Sequence, residues 1–340
     1  MYSWIERTFL EKLHSKLENG KVVAIYGPRR VGKTSAIRHF LASFPGKILE
    51  GVGDDIELRN ILSSEKKNLI LSSFEGYDLI FIDEVQRIPN IGWGLKLLID
   101  HNPALKVIVT GSSSFELSGQ ISEPLTGRSW TMQMYPISMK EISEWRGNME
   151  LRQRLHEYLI YGCYPEVMTA TNPNEKIEYL IELRNSYLFK DILELENIQN
   201  AAKLTDLLKL LAFQIGHEVS LNELGNALGI AKQTVERYLD LLEKTFIIKK
   251  LSGFSRNLRK EVTKTSRYYF LDNGVRNALI NNFNQPDSRN DMGQLWENFC
   301  FSERLKKQEW KPLHSNNYFW RTYDQQEIDL IEERDGSLFT

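Results

Sequence analysis

Short apolar, β-branched runs alternate with longer stretches of helical periodicity over the first 135 residues. Residues 21–26, 78–82 and 106–110 each hold an unbroken apolar run, over 22–26, 79–82 and 107–109, so they read as strands buried on both faces. Residues 47–50 form a weaker run. Residues 1–20 read as an amphipathic helix, and residues 35–44 and 90–100 as helices between strands. Strand and helix in alternation predict an α/β fold, a mostly parallel sheet with helices on both faces. Pro136 marks a change of pattern, and from 137 to about 200 the chain reads as helical, with Leu151, Leu155, Tyr158 and Leu159 on one stripe and a second long helix over 177–195. Residues 204–251 read as a winged helix-turn-helix: a helix over 205–216, a second opened by Ser220 with Glu223 three residues on, Gly229 at the turn, and a third over 231–244 with Val235, Leu239 and Leu242 facing inward. A strand over 246–251 leads into the wing. The tail reads as a helix carrying Leu295, Trp296, Phe299 and Cys300, followed by strands over 318–321 and 327–331.

The first strand runs straight into Gly27-Pro28-Arg29-Arg30-Val31-Gly32-Lys33-Thr34 and then Ser35. This is the phosphate-binding loop pattern in its required strand–loop–helix context. Backbone N–H groups of the loop and the helix N-terminus converge on phosphate oxygens, and Gly27 and Gly32 permit the backbone angles and close approach. Lys33 would reach the β- and γ-phosphates and Thr34 would hold Mg²⁺. The strand over 78–82 ends in Asp83 and Glu84. Ligands in parallel α/β sheets bind at the carboxyl ends of the strands, so Asp83 is expected on the metal and Glu84 on the attacking water. The strand over 106–110 ends in hydroxyls, with Thr110 and Ser112 placed to sense the γ-phosphate. Arg128, after Gly127, can stabilise charge on the transferring phosphate in cis or from a neighbouring subunit, or simply lie in solvent.

With Phe81-Ile82-Asp83-Glu84-Val85-Gln86, Thr110-Gly111-Ser112-Ser113, Gly127-Arg128, Tyr135-Pro136-Ile137-Ser138, Tyr161-Gly162-Cys163-Tyr164-Pro165-Glu166, Phe189-Lys190-Asp191-Ile192, Arg289-Asn290-Asp291-Met292-Gly293 and Glu327-Ile328-Asp329-Leu330, the chain resembles, nearly end to end, the prokaryotic AAA-type ATPases that carry a winged helix and a C-terminal restriction-endonuclease-like domain. The resemblance implies ATP/ADP as ligand, ATPase activity, and an organisation of P-loop core over 1–136, helical lid over 137–203, winged helix-turn-helix over 204–285 and partial nuclease-like α/β tail over 286–340. In the nuclease pattern Glu297 and Asp329 match two metal-binding positions. The Glu-x-Lys that completes the pattern is missing, because the chain stops at Thr340 inside what reads as the next strand. The tail is therefore expected to be truncated or degenerate, and inactive as a nuclease.

The net charge of −2 supplies no global attraction to nucleic acid or anionic membrane, so any DNA contact must be a local patch. Lys232, Gln233, Thr234 and Arg237 on the third helix can face a major groove, and Arg256, Arg259, Lys260, Lys264 and Arg267 form a basic stretch suited to phosphate. Glu236, Asp240 and Glu243 dilute that face, and winged helices also serve as protein contacts. Duplex DNA, a second copy and a protein partner thus all remain open. Two cysteines make neither a disulfide framework nor a zinc site, and no apolar run approaches the roughly 20 residues of a membrane helix, so a cytoplasmic protein is expected.

Overall fold

Strands buried on both faces need helices on both sides, and the first half of the chain meets that need. In the computed structural model, which describes residues 4–18, 20–112, 124–186, 200–254, 266–311, 313–322 and 326–340, five parallel strands form one sheet in the order β2-β3-β4-β1-β5. They are β1 (Val22–Tyr26), β2 (Ile48–Val52), β3 (Leu79–Asp83), β4 (Lys106–Gly111) and β5 (Ser129–Gln133). Helices α1 (Phe9–Lys16), α2 (Lys33–Leu41), α3 (Ile56–Leu62), α4 (Lys67–Ser73) and α5 (Ile91–His101) flank it. Every residue of β1 is buried. Its register, Val22 beside Val107 on one side and Ser129 on the other, makes it the second strand from one edge. The apolar runs predicted the three inner strands β1, β3 and β4 and, as a weaker run, the edge strand β2. β5 was not predicted, because Ser129-Trp130-Thr131-Met132-Gln133 is an edge strand with only Met132 buried and so lacks a continuous apolar run. Helices α3 and α4 were also not predicted; each is a single short segment of seven residues.

Two compact units divide the chain, Glu6–Tyr135 and Pro136–Thr340, the second also taking in Met1–Ile5. The second unit begins with helices α6 (Met139–Arg146), α7 (Asn148–Gln153), α8 (Leu155–Tyr161), α9 (Pro165–Thr169) and α10 (Pro173–Leu183). A complete capping box starts α6: the Ser138 hydroxyl accepts from the Glu141 N–H, and the Glu141 carboxylate accepts from the Ser138 N–H. Next come α11 (Ala201–Phe213), β6 (Glu218–Val219), α12 (Leu221–Leu228), α13 (Lys232–Lys244), β7 (Ile248–Gly253) and β8 (Ser266–Phe270). Gly229, with φ of +64°, ends α12 at the expected turn, and Val235, Leu239 and Leu242 are buried as expected. Ser220 accepts from Glu223 N, which is one half of the predicted capping box.

The tail does not stand as a separate sheet. After α14 (Asn273–Leu279) and α15 (Met292–Trp310), strand β9 (Asn316–Arg321) pairs in parallel with β7, and β10 (Glu327–Arg334) and β11 (Ser337–Phe339) follow. One six-stranded sheet results, in the order β11-β10-β9-β7-β8-β6. Asn298 fastens α15 to this sheet, accepting from Phe270 N at 2.7 Å and donating to Phe270 O at 2.9 Å. Residues expected to fall into three segments after 136 therefore form one unit joined through β7 and β9.

Asp272 ties the helical part of this unit to α14. Its buried carboxylate accepts from Cys163 N at 2.7 Å and from Val275 N at 3.2 Å. Gly162, at φ of +72°, packs so closely that a Cβ there would lie 2.0 Å from Asp272 Oδ1. Gly162→Ala should cost at least about 2 kcal/mol, from left-handed strain and overpacking together. Urea unfolding followed by circular dichroism should show the loss, and an unchanged midpoint would contradict the packing described.

Candidate nucleotide site

The loop between β1 and α2 is held in an unusual backbone path. Gly27 has φ of +153° and Gly32 of +90°, and Arg30 takes a left-handed φ of +62° despite its side chain. At Gly27 a Cβ would lie 2.1 Å from the Met134 carbonyl oxygen, because β5 continues alongside and Met134 N donates to Tyr26 O at 2.7 Å. Gly27, Pro28, Val31 and Lys33 are buried, Arg29, Gly32 and Thr34 half-buried, and Arg30 and Ser35 exposed. The Lys33 ammonium donates to the carbonyls of Gly27 at 2.9 Å and Pro28 at 3.0 Å. Burial pulls its pKa down to about 8, with Glu84 and Asp83 opposing the fall and Arg29 adding to it.

Sheet order brings the other polar strand ends to the same place. β3 and β4 are neighbours and β4 lies next to β1, so their carboxyl ends share one edge with the loop. Asp83, the last residue of β3, accepts from the Thr34 hydroxyl at 2.7 Å and, in a short bond, from the Thr110 hydroxyl. Thr110 in turn accepts from Glu84 N at 3.3 Å. Glu84 is left-handed, φ +49°, and half-buried. Gln86 donates from one amide nitrogen to the Glu84 carboxylate, a short bond, and to the Ser112 hydroxyl at 3.0 Å. Lys33, Thr34, Asp83, Glu84, Thr110 and Ser112 are thus all brought to one site. Thr34 and Asp83 offer adjacent hard oxygens, a donor pair that suits Mg²⁺, which keeps several waters and takes few protein ligands. Among the described residues no group of three His, Cys, Asp or Glu side chains could hold a metal by itself.

Arg128 is not brought there. It precedes β5, whose first residue pairs with Val22 at the start of β1, so it lies at the amino ends of the strands. Five residues at roughly 3.3 Å each separate that edge from the loop. Arg128 donates to Asp100 at 2.7 Å. This position does not bring it to the loop of its own chain, which leaves use by a neighbouring copy or a surface ion pair with Asp100 and no part in the chemistry.

In the second unit, Lys232 and Arg237 are exposed on α13 as expected, Arg237 carrying its guanidinium near the Tyr238 ring. Arg256, Arg259, Lys260 and Lys264 lie outside the described residues, as do Ser113 and the Phe189–Ile192 motif. Arg267 is corrected: only 2% exposed, it faces Asp329 at 3.2 Å, Glu297 at 3.6 Å and Glu327 closer still, and so cannot meet a DNA phosphate. Burial is the largest single influence and opposes its charge, but the hydrogen bonds and charges of Glu327 and Tyr269 together outweigh it and hold the pKa above the ordinary value. The same guanidinium bears on Glu297 and Asp329. A cation fixed within about 3.6 Å of both carboxylates does not fit a divalent metal there. The cluster lines a cavity of about 800 Å³ with Trp296, Cys300 and Arg304.

Residues 19–143 match the AAA domain family. This stretch is similar in sequence to AAA-type domains and carries the P-loop fold described above. Residues 152–286 match a domain of unknown function, DUF8612, and residues 292–340 another, DUF4143. An uncharacterised protein of Mycobacterium tuberculosis is 28% identical, covering 96% of this chain and 70% of its own. One of Methanocaldococcus jannaschii is 26% identical, covering 93% and 73%. A solved signal-transduction ATPase with a tetratricopeptide repeat sensor from Pyrococcus horikoshii aligns with 90% of this chain at 16% identity and a TM-score of 0.35. The chain spans 46% of that protein's length. The replication initiator DnaA, bound to AMPPCP and single-stranded DNA, aligns with 70% of this chain at 15% identity and a TM-score of 0.28. Likenesses this distant add nothing to what the geometry shows.

Two residues that matter to the site carried no readable signal of their roles there. Gln86 holds Glu84, but a glutamine after a strand is ordinary. Arg7 donates to Val31 O in the loop at 2.8 Å from a position 24 residues away. The buried Lys33 sets a testable stability cost. Its folded pKa of about 8 lies below its ordinary value, so the folded state binds fewer protons between pH 8 and 10.5. The penalty is present in full below pH 8 and fades as pH rises toward 10.5. Lys33→Met should therefore be the more stable protein at pH 7, by as much as about 3 kcal/mol, with the gap narrowing at pH 9.5. Urea unfolding of both proteins at the two pH values measures this, and a gap independent of pH would contradict it.

Proposed function

We propose that this protein is a Mg²⁺-dependent ATPase whose nucleotide state is read by its second unit. The observation that carries the reading is the meeting of Lys33, Thr34, Asp83 and Glu84 at the carboxyl ends of β1 and β3. Lys33 would trade its two carbonyl acceptors for β- and γ-phosphate oxygens, and the loop N–H groups would take the rest. Mg²⁺, bound by Thr34 and Asp83, would offset phosphate charge. Glu84, aimed by Gln86, would orient and polarise the water that attacks the γ-phosphorus in line. Thr110 and Ser112, hydrogen-bonded to Asp83 and Gln86, would relay the presence of the γ-phosphate. The AAA match supports adenine over guanine as the base.

The segment over 137–203, whose described residues include α6 to α10, would serve as the lid, and the segment over 204–285 as the winged helix-turn-helix. With α13 offering Lys232 and Arg237, duplex DNA is one partner for that segment. The exposed cations of α13 alternate with exposed Glu236 and Asp240, and Lys244 is paired to Asp240 at 2.9 Å, which favours the second reading. There the ATPase is a slow switch that controls a protein contact or self-association.

Turnover measured on wild type and Glu84→Gln, each with and without duplex DNA over a salt series, tests both levels. Glu84→Gln should bind ATP and hydrolyse it at least ~10²-fold more slowly. Survival of its turnover within a few-fold would remove Glu84 from the water. Stimulation by DNA that fades steeply with salt would support the DNA partner. Indifference to DNA, with nucleotide-dependent self-association, would support the switch.

A further inference from the structure

We propose that Arg7 is a positioning residue for the phosphate loop, and that it couples the loop's nucleotide state to both passages of the chain between the two units. The proposal rests on the nucleotide site argued above. Arg7 is 6% exposed. One terminal nitrogen donates to Val31 O at 2.8 Å and the other to Tyr135 O at 2.7 Å.

The first bond acts on the loop directly. In a trans peptide the carbonyl of one residue and the N–H of the next point in opposite directions. Holding the Val31 carbonyl therefore aims the Gly32 N–H the other way. Gly32 is the residue at which the loop becomes helix α2, with φ of +90°, and Arg30 nearby sits in a left-handed conformation. Such backbone persists only where its surroundings over-determine it. A buried cation on the loop's carbonyl side supplies that restraint, and it leaves the loop's donors free for an anion.

The second bond places the same side chain at the border of the unit. Tyr135 is the last residue of the first unit, and Pro136 opens the second. The other passage lies between Ile5 and Glu6. Ile5 is buried in a cluster of the second unit with Ile137, Ile142, Leu159 and Phe299. Arg7 is thus two residues from one passage and hydrogen-bonded to the residue that starts the other. A shift of the Val31 peptide on nucleotide binding would be felt at both. The planar guanidinium suits this role, because its fork reaches two carbonyls at fixed separation, whereas a lysine ammonium is a single point.

The test uses the full chain, with ATP and Mg²⁺ as probe and three proteins: wild type, Arg7→Lys and Arg7→Met. Thermal unfolding first fixes a temperature at which all three are folded. Calorimetry there gives ATP affinity, and limited proteolysis with and without ATP follows cleavage within residues 136–340. Arg7→Met should bind ATP at least about tenfold more weakly, the scale of one charge-assisted hydrogen bond. Arg7→Lys should recover part of the affinity. In both, the ATP-dependent change in cleavage seen in wild type should be lost at saturating ATP. If Arg7→Met does not fold, Arg7→Lys carries the comparison. ATP affinity within twofold of wild type, with only the melting temperature lowered, would reduce Arg7 to a structural residue and overturn the proposal. Weakened affinity with an unchanged cleavage response at saturation would overturn the coupling. Wild type that binds no ATP would instead sink the nucleotide reading, and this proposal with it.

Discussion

The Asp83 carboxylate is the point on which the site depends. One oxygen accepts from Thr34 at the start of α2 and the other from Thr110 near the end of β4. A single side chain at the end of β3 thereby links the three adjacent strand ends β3, β4 and β1. The parallel sheet makes this arrangement available, because only parallel strands deliver all their carboxyl ends to one edge. Continuous apolar composition in β1, β3 and β4 is what commits them to that sheet.

Gathering charge at that edge costs stability. Lys33 is buried with only partial compensation from Asp83 and Glu84, as its lowered pKa records. Gly27, Gly32, Arg30 and Glu84 all hold positive φ within or beside the site. Strain and a half-compensated cation concentrated at one edge of an otherwise apolar sheet are the mark of a place shaped for a ligand. The Arg267 cluster in the second unit shows the opposite balance. Its guanidinium faces three carboxylates and sits above its ordinary pKa, so its charges satisfy one another.

What the sequence made legible follows the same physics. The loop was readable because its geometry tolerates few residue types, and the inner strands because burial on both faces demands unbroken apolar runs. β5 escaped because an edge strand carries no such demand. Arg128 was left open between cis, trans and solvent for the same reason: without β5 its position at the amino edge cannot be known. Arg267 looked like a surface cation among basic neighbours, and only the sheet order β10-β9-β7-β8, with α15 packed on β8, brings it to Glu327, Asp329 and Glu297. Arg7 acts over 24 and 128 residues of chain, a range at which local pattern is silent.

Calorimetric titration of MgATP into wild type and Lys33→Ala at pH 7 tests the central claim most directly. Lys33 is the loop side chain whose ammonium lies against the loop carbonyls and beside Asp83 and Glu84. The account predicts saturable 1:1 binding by wild type, and affinity at least about tenfold weaker in Lys33→Ala with an unaltered circular dichroism spectrum. Equal affinity in the two proteins, or no binding by wild type, would contradict it.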